Sequence, residues 1–296
     1  MRSADPAVGC LALLLVVMLA QAFTGCARYE YQFDGQRAYQ HVLRQCEFGP
    51  RPVGSEAGRR TAEYIVSELD QLAWTTESQE FAYRGIIGRN IIASKGSGPV
   101  VILGAHYDTR SVADRDPVDP TVPVLGANDG ASGVAVLLEI SRLLGQNKPP
   151  IGVDVVFFDG EDYGEEGVLQ DYILGSTYFA DNLKGYHPHS VIIVDMIGDR
   201  DLTVRYEGFS RAASSELLEE LFSIAERLQI EAFKREAGAT LIDDHLPFIQ
   251  RNISAVVLVD FDYPFWHTLE DTPDKCSVES LDAVGEVLVE FIWIKR

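Results

Sequence analysis

The chain alternates short, unbroken apolar runs with longer segments whose apolar positions fall three and four apart. PVVILG, GVDVVFF, SVIIV and SAVVLV are each short, rich in β-branched residues and bounded by Gly or polar residues, the pattern of strands buried on both faces. WTTESQEFAY and RNIIASK, upstream, read as two further strands. Helical spacing runs from Asp34 to Gln45, and through TAEYIVSELDQL, where Ser55 is placed to cap and Ala62, Ile65, Val66 and Leu69 form one stripe. GASGVAVLLEISRLLG, ending at Gly145, ELLEELFSIAERL and VESLDAVGEVLVEFIWI complete the helices. No linker, repeat or low-complexity tract interrupts them. Continuous apolar strands alternating with helices predict an α/β fold: a three-layer sandwich with a mixed, largely parallel central sheet and helices on both faces, in a single domain over 27–296.

The amino terminus breaks this pattern. Arg2 is followed by GCLALLLVVMLAQAF, too short and too poorly flanked for a comfortable membrane span, and a secretory signal fits better. The stretch closes on FTGC, where a small residue before Cys26 resembles the bacterial lipobox, although Phe23 stands where Leu is commoner. Residues 1–26 are therefore expected to be a signal peptide with a lipobox, in preference to a plain signal peptide with an incidental cysteine. The protein is then exported, to the periplasm or the cell surface, and touches the membrane only through a lipid anchor at Cys26. With Cys10 removed and Cys26 acylated, Cys46 and Cys276 remain as the candidate disulfide pair of an oxidising compartment. Lacking a CxxC spacing or a His neighbour, they make a poor metal site.

Charge narrows the class of partner. With Lys+Arg 25 against Asp+Glu 45, the net charge of -20 repels polyanions and argues against nucleic acid. It suits a cationic ligand such as a peptide amino terminus. Most of the acids, including those in EDYGEE and DLTVRYE, read as solvated, and His41, His187 and His189 as surface residues.

In an α/β sheet, polar residues just past the carboxyl ends of the strands are where ligands reach the chain. Five exits offer an imidazole or carboxylate: His106 and Asp108 in AHYD, Asp129 in GANDG, Glu161 and Asp162 in DGED, Asp195 in DMIGD, and His267 beside Trp266 in WHTLED. Each alone reads more simply as a turn former, a cap or a hydrogen-bonded core neighbour. Together, carboxylate oxygen and imidazole nitrogen in one crevice are the ligand mixture of a catalytic zinc with an open position. The adjacent acids in FFDGEDY then divide their labour, one toward the metal and one toward the reacting group.

GAHYD, GANDGASGVAVLLE, FFDGED, VDMIG, DDHLPF and WHT, in this order, resemble the zinc-dependent M28 peptidase family, and within it the glutaminyl-peptide cyclotransferases. A cyclotransferase of this kind implies one zinc held by Asp129, Asp162 and His267, with Glu161 transferring the proton. The resemblance further implies Asp243 and Asp195 in the proton network, and Trp266, Asp244 and His245 around the substrate pocket. Asp244 and His245 have an equally good alternative as caps of the helix entering LPFIQRN. The expected reaction converts the amino-terminal Gln of a peptide or protein into pyroglutamate with release of ammonia. A two-metal M28 aminopeptidase is the alternative; it implies His106 and Asp195 as additional ligands, one on each zinc, with Asp129 bridging. A binding lipoprotein without catalysis is a remote third reading, since every ligand position still holds a competent donor. FFDGED, DDHLPF and the Trp before His267 lean toward the cyclotransferase. Two departures stand out: Asp162 occupies a position usually held by Glu, pulling the carboxylate back by roughly 1.5 Å, and GEEGVLQDYILGS lacks the Trp that forms a pocket wall in animal cyclotransferases.

Overall fold

The computed structural model describes residues 32–164 and 168–294. The expected signal peptide, lipobox and Cys26 lie outside them, as do Glu165 and Glu166. The chain divides after Gln32, and every described element belongs to Phe33–Arg296. In order these are α1 (Gly35–Cys46), α2 (Glu56–Gln71), β1 (Thr75–Tyr83), β2 (Ile86–Lys95), β3 (Val100–His106), α3 (Ala131–Gln146), β4 (Gly152–Phe158), α4 (Leu174–Asp181), β5 (Ser190–Asp195), β6 (Val204–Tyr206), α5 (Gly208–Ala213), α6 (Ser215–Arg227), β7 (Phe233–Ala237), α7 (Leu246–Ile249), β8 (Ala255–Val259) and α8 (Val278–Ile294). Among the described residues, no helix is long and apolar enough to cross a membrane.

The expected helix starts are made by side chains. Asp34 accepts the Arg37 N–H at the head of α1, and Ser55 accepts the Gly58 N–H at the head of α2, each satisfying an otherwise orphaned donor. The short pairs β6–β7 and helix α5 were not expected from the pattern; β7 is almost wholly exposed, so it carries no apolar run to read.

The main sheet has the order β1-β2-β4-β3-β5-β8. β1, β2 and β4 pair antiparallel, while β4, β3, β5 and β8 are parallel, with His106 opposite Phe158 and Asp195 opposite Val259 in register. This is the expected mixed, largely parallel sheet. Its central strands are apolar without a break because both faces are covered: α1, α3 and α8 pack together on one side, and α4 and α7 on the other. On the second face Phe158 meets Phe179 of α4 at 5.9 Å and Phe248 of α7 at 6.3 Å, ring centroid to centroid. Truncating such a buried ring costs about 3–5 kcal/mol. From β3 the chain crosses through α3 to β4, then through α4 to β5 on the other side of β3. The carboxyl end of β3 therefore lies at the point where the winding reverses, the place at which open α/β sheets form a crevice. Cys46 and Cys276 are both free thiols.

Candidate active site

The expected residues converge on that crevice. His106 ends β3, Asp195 ends β5, Glu161 and Asp162 follow β4, and Asp129 precedes α3. His267 lies beyond β8 and has φ +58°, a left-handed conformation that is costly for a residue with a Cβ. Gly130 has φ +98°, and a Cβ there would lie 2.6 Å from the Asp108 carbonyl oxygen, so the turn that presents Asp129 requires glycine.

Two buried acids shape the backbone behind these side chains. Asp108 accepts the N–H groups of Glu161 and Asp162, one on each carboxylate oxygen and both at 3.1 Å. This grip holds two adjacent acids side by side in one place. Asp271 does the same for Asn128 and Asp129, whose N–H groups donate at 2.8 and 3.1 Å, and it also accepts the Tyr263 hydroxyl at 2.8 Å. Burial, and then the neighbouring Asp129, push the Asp271 carboxyl up to about 7.

Two three-donor groups result, sharing Asp129: His106 with Asp129 and Asp195, and Asp129 with Asp162 and His267; in each, the donor atoms lie within 4.8 Å of one another. His106 Nε2 is 3.1 Å from Asp195 Oδ1 and 3.3 Å from Asp129 Oδ1. His267 Nε2 is 3.4 Å from Asp162 Oδ1 and 3.8 Å from Asp129 Oδ2. His106 and Asp195 thus fall in one donor group, whereas the aminopeptidase reading expects them on separate zincs. β3 and β5 are neighbours, so their terminal side chains meet in one group.

Both groups suit a divalent cation. They mix hard carboxylate oxygen with imidazole nitrogen, and donors about 2.0–2.1 Å from a tetrahedral zinc are about 3.3 Å apart. Among the described residues Asp162 Oδ2 is buried without a hydrogen-bond donor, a cost that a bound cation would remove. The shorter side chain of Asp162 does not take it out of reach, because its carboxylate still approaches His267.

A cavity of about 80 Å³ opens onto the group at His267, lined among others by Glu161, Asp243, Tyr172 and Trp266. A wider space of about 320 Å³ adjoins it past Trp266, Phe261 and Leu169. Burial raises the Glu161 carboxyl well above its ordinary range; Asp162, Asp244 and Asp243 add to the effect, and His106 opposes it. Burial, and then Asp195, bring Asp243 up to about 7. The observed partner of Asp195 is His106. Trp266 lines this cavity, its ring 4.0 Å from that of His267 and 4.9 Å from that of Phe261. Tyr172 lines the same cavity, supplying an aromatic ring within the segment that has no Trp.

The residues of DDHLPF behave differently from their alternative as helix caps. No side chain caps α7, whose first N–H, that of Leu246, donates instead to the Asp243 carbonyl. Asp244 is fully buried and does not line the cavity; the Ser176 hydroxyl beside it donates to the Ile173 carbonyl, which leaves the Asp244 carboxyl without a donor among the described residues. His245 Nε2 pairs at 3.0 Å with Glu207, a fully buried acid that the sequence reading had left in solvent. Four residues around the site had no expected role: Arg110, Asp114, Asp271 and Glu207. For Arg110, Asp114 and Asp271 the one signal is position, since TRSVADRD directly follows GAHYD and LED directly follows WHT; Glu207 carries none.

The sequence profile of peptidase family M28 matches residues 90–292. The chain belongs to the M28 family. Among curated relatives, the glutaminyl-peptide cyclotransferase of Drosophila melanogaster is 28% identical over 277 residues, 81% of this chain and 75% of that protein. Among solved structures, a Bacteroides thetaiotaomicron glutaminyl cyclase bound to N-acetylhistamine is 34% identical with a TM-score of 0.85, covering 90% of this chain and 99% of its own. A leucine aminopeptidase precursor from the same organism is equally similar, at 34% identity and a TM-score of 0.85, over 90% of this chain and 98% of its own. Similarity to M28 structures under both names leaves the activity to the chemistry of the site.

Proposed function

We propose that this M28 protein is a zinc-dependent glutaminyl-peptide cyclotransferase. The observation that carries this reading is the small cavity in which Glu161 and the Asp129–Asp162–His267 group face a space walled by Trp266 and Tyr172. A side chain the size of glutamine's fills such a space. Similarity to proteins named as glutaminyl cyclases supports it further.

Asp129, Asp162 and His267 would hold the zinc, which when bound supplies Lewis-acid polarisation of the side-chain amide carbonyl. Trp266 and Tyr172 bracket the glutamine side chain and exclude water from it. As the substrate's α-nitrogen bonds to the side-chain carbonyl carbon, Glu161 accepts the proton that this nitrogen loses. It then gives that proton to the amide nitrogen as the carbon–nitrogen bond breaks, so ammonia leaves and no water is consumed. Asp243 lines the same cavity, and its charge helps to raise the Glu161 carboxyl. A Gln-initiated peptide is expected to lose the mass of ammonia on incubation with the purified mature protein, while a Leu-initiated peptide stays intact. Release of free leucine would establish the aminopeptidase instead. That second reading draws on the complete His106–Asp129–Asp195 group and on the similarity to the leucine aminopeptidase precursor.

Residues 1–26 are proposed as a lipoprotein signal, leaving 27–296 as one exported catalytic domain anchored at Cys26. A Cys26→Ala form should take up no labelled fatty acid and should leave the membrane fraction; unchanged membrane retention would instead indicate an uncleaved apolar anchor.

A further inference from the structure

We propose that Arg110 and Asp114 form a clamp that sets the positions of Asp162 and His267 and thereby the zinc affinity of the site, an inference that rests on the metal site proposed above. Arg110 is 3% exposed and lies just past the β3 exit. One edge of its guanidinium, Nε and Nη2, donates to Asp114 Oδ2, at 2.9 Å from Nε. The other edge, Nη1, donates to Asp162 Oδ1 at 3.1 Å and to the Gly164 carbonyl at 2.8 Å. The remaining oxygen of Asp114, Oδ1, accepts the Nδ1–H of His267 at 2.9 Å. The result is a continuous bridge, Asp162–Arg110–Asp114–His267, between two donors that follow different strands, β4 and β8.

Each link constrains a donor atom. A proton fixed on His267 Nδ1 leaves the Nε2 lone pair directed at Asp129 and Asp162, the tautomer that a metal needs. Arg110 fixes the turn at Asp162 and orients its short carboxylate. The same segment holds the backbone of the His267 loop, because the Arg115 N–H donates to the His267 carbonyl at 3.2 Å and Asp116 accepts the Leu269 N–H at 2.9 Å. A left-handed histidine persists only where neighbours over-determine it, and here the side chain and the main chain are both tied to residues 114–116. The guanidinium also lies 5.5 Å from the Tyr172 ring, so the clamp reaches the cavity wall. Its two-edged geometry belongs to arginine; a lysine ammonium is a single point of charge and cannot span both acids in this way.

The test is zinc affinity by chelator competition on the mature full-length chain, with the visible absorption of the cobalt(II)-substituted protein as a readout of ligand geometry. Arg110→Lys is expected to weaken zinc binding by about 10–100-fold and to change the cobalt spectrum. Asp114→Asn, nearly isosteric and so the safer variant for folding, should weaken zinc by about tenfold with a spectral change of the same kind. The double variant should lose little more than the worse single one, as expected of residues acting as a unit. Zinc affinity within about twofold of wild type in Asp114→Asn, together with an unchanged cobalt spectrum, would overturn the clamp and leave the metal site standing. A wild-type protein that binds no zinc would overturn both.

Discussion

The two donor groups share Asp129 and have the same chemistry, yet their surroundings differ. The His106 ring is set back from the cavity, although Asp129 and Asp195 of its group line it. His106 does not line the cavity, and its ring nitrogens already face Asp195, Asp129 and Asp108. Burial disfavours the charged imidazole there, but the acceptor carboxylates of Asp108, Asp129 and Asp195 override it and raise His106 well above its ordinary range. The His267 group lines the cavity, its outer nitrogen is bound to Asp114, and it stands next to Glu161. Donor identity alone does not mark a catalytic metal site; all three donors of the Asp129–Asp162–His267 group line the open space, and on that ground the proposed zinc is assigned to them.

The contrast breaks most sharply at His267 itself. His267→Ala should strip the zinc and bring turnover to background, measured by metal content and by ammonia release from a Gln-initiated peptide. Full zinc content in that variant would remove His267 from the ligand set. Next in size is Glu161→Gln, which keeps the shape but cannot move a proton: turnover should fall about 10²–10⁴-fold with the zinc retained. Near wild-type turnover in the metal-loaded variant would end its assignment as the proton carrier. His106→Ala should be milder, with close to one zinc per chain before and after and a loss of about tenfold, typical of a residue outside the ligand set. If the wild type held two zincs and the variant one, with activity abolished, the His106 group would be a second catalytic site and the aminopeptidase reading would prevail.

What could be read in the chain follows from what burial writes into it. β3, β4, β5 and β8 are covered on both faces, so each appears as an unbroken apolar run, and the rule about carboxyl ends then locates His106, Asp129, Glu161, Asp162, Asp195 and His267. Which of them meet depends on strand order. β3 lies between β4 and β5, an arrangement that no local pattern encodes, and it is this that joins His106 to Asp195 in one group. The buried acids were illegible for another reason. Asp114, Asp271 and Glu207 look like any solvated acid, because a carboxylate is recognised as structural only by the N–H groups it collects, and those come from residues distant in sequence. Glu207 therefore reads as solvated, and Asp244 and His245 read equally well as pocket residues or as helix caps, a cap being the commonest local use of an acid before a helix.

Glu207 offers the finest discrimination, because it supports the Asp243 side of the site without touching the chemistry. Its carboxylate caps α5 through the N–H groups of Phe209 and Ser210, at 3.0 and 2.7 Å, and holds the DDHLPF segment through the Leu241 N–H at 2.9 Å and His245 Nε2 at 3.0 Å. Burial works against the charge, but His245 and these donors prevail and bring Glu207 from 4.5 down to about 2. A carboxyl depressed in the folded state contributes stability that is fully present above its unfolded value and disappears as the pH falls through the folded one. The shift corresponds to about 3 kcal/mol. Glu207→Gln should therefore melt roughly 5–10 °C below wild type at pH 7, with the gap closing as the pH is lowered from 4.5 toward 2. Turnover should drop only a few-fold, since Glu161 and the His267 group are untouched, and zinc content should not change. Equal melting temperatures at neutral pH, or a gap that persists undiminished into acid, would show that the charge on Glu207 does not hold the Asp243 segment; a loss of zinc would mean that the two halves of the site are not separable.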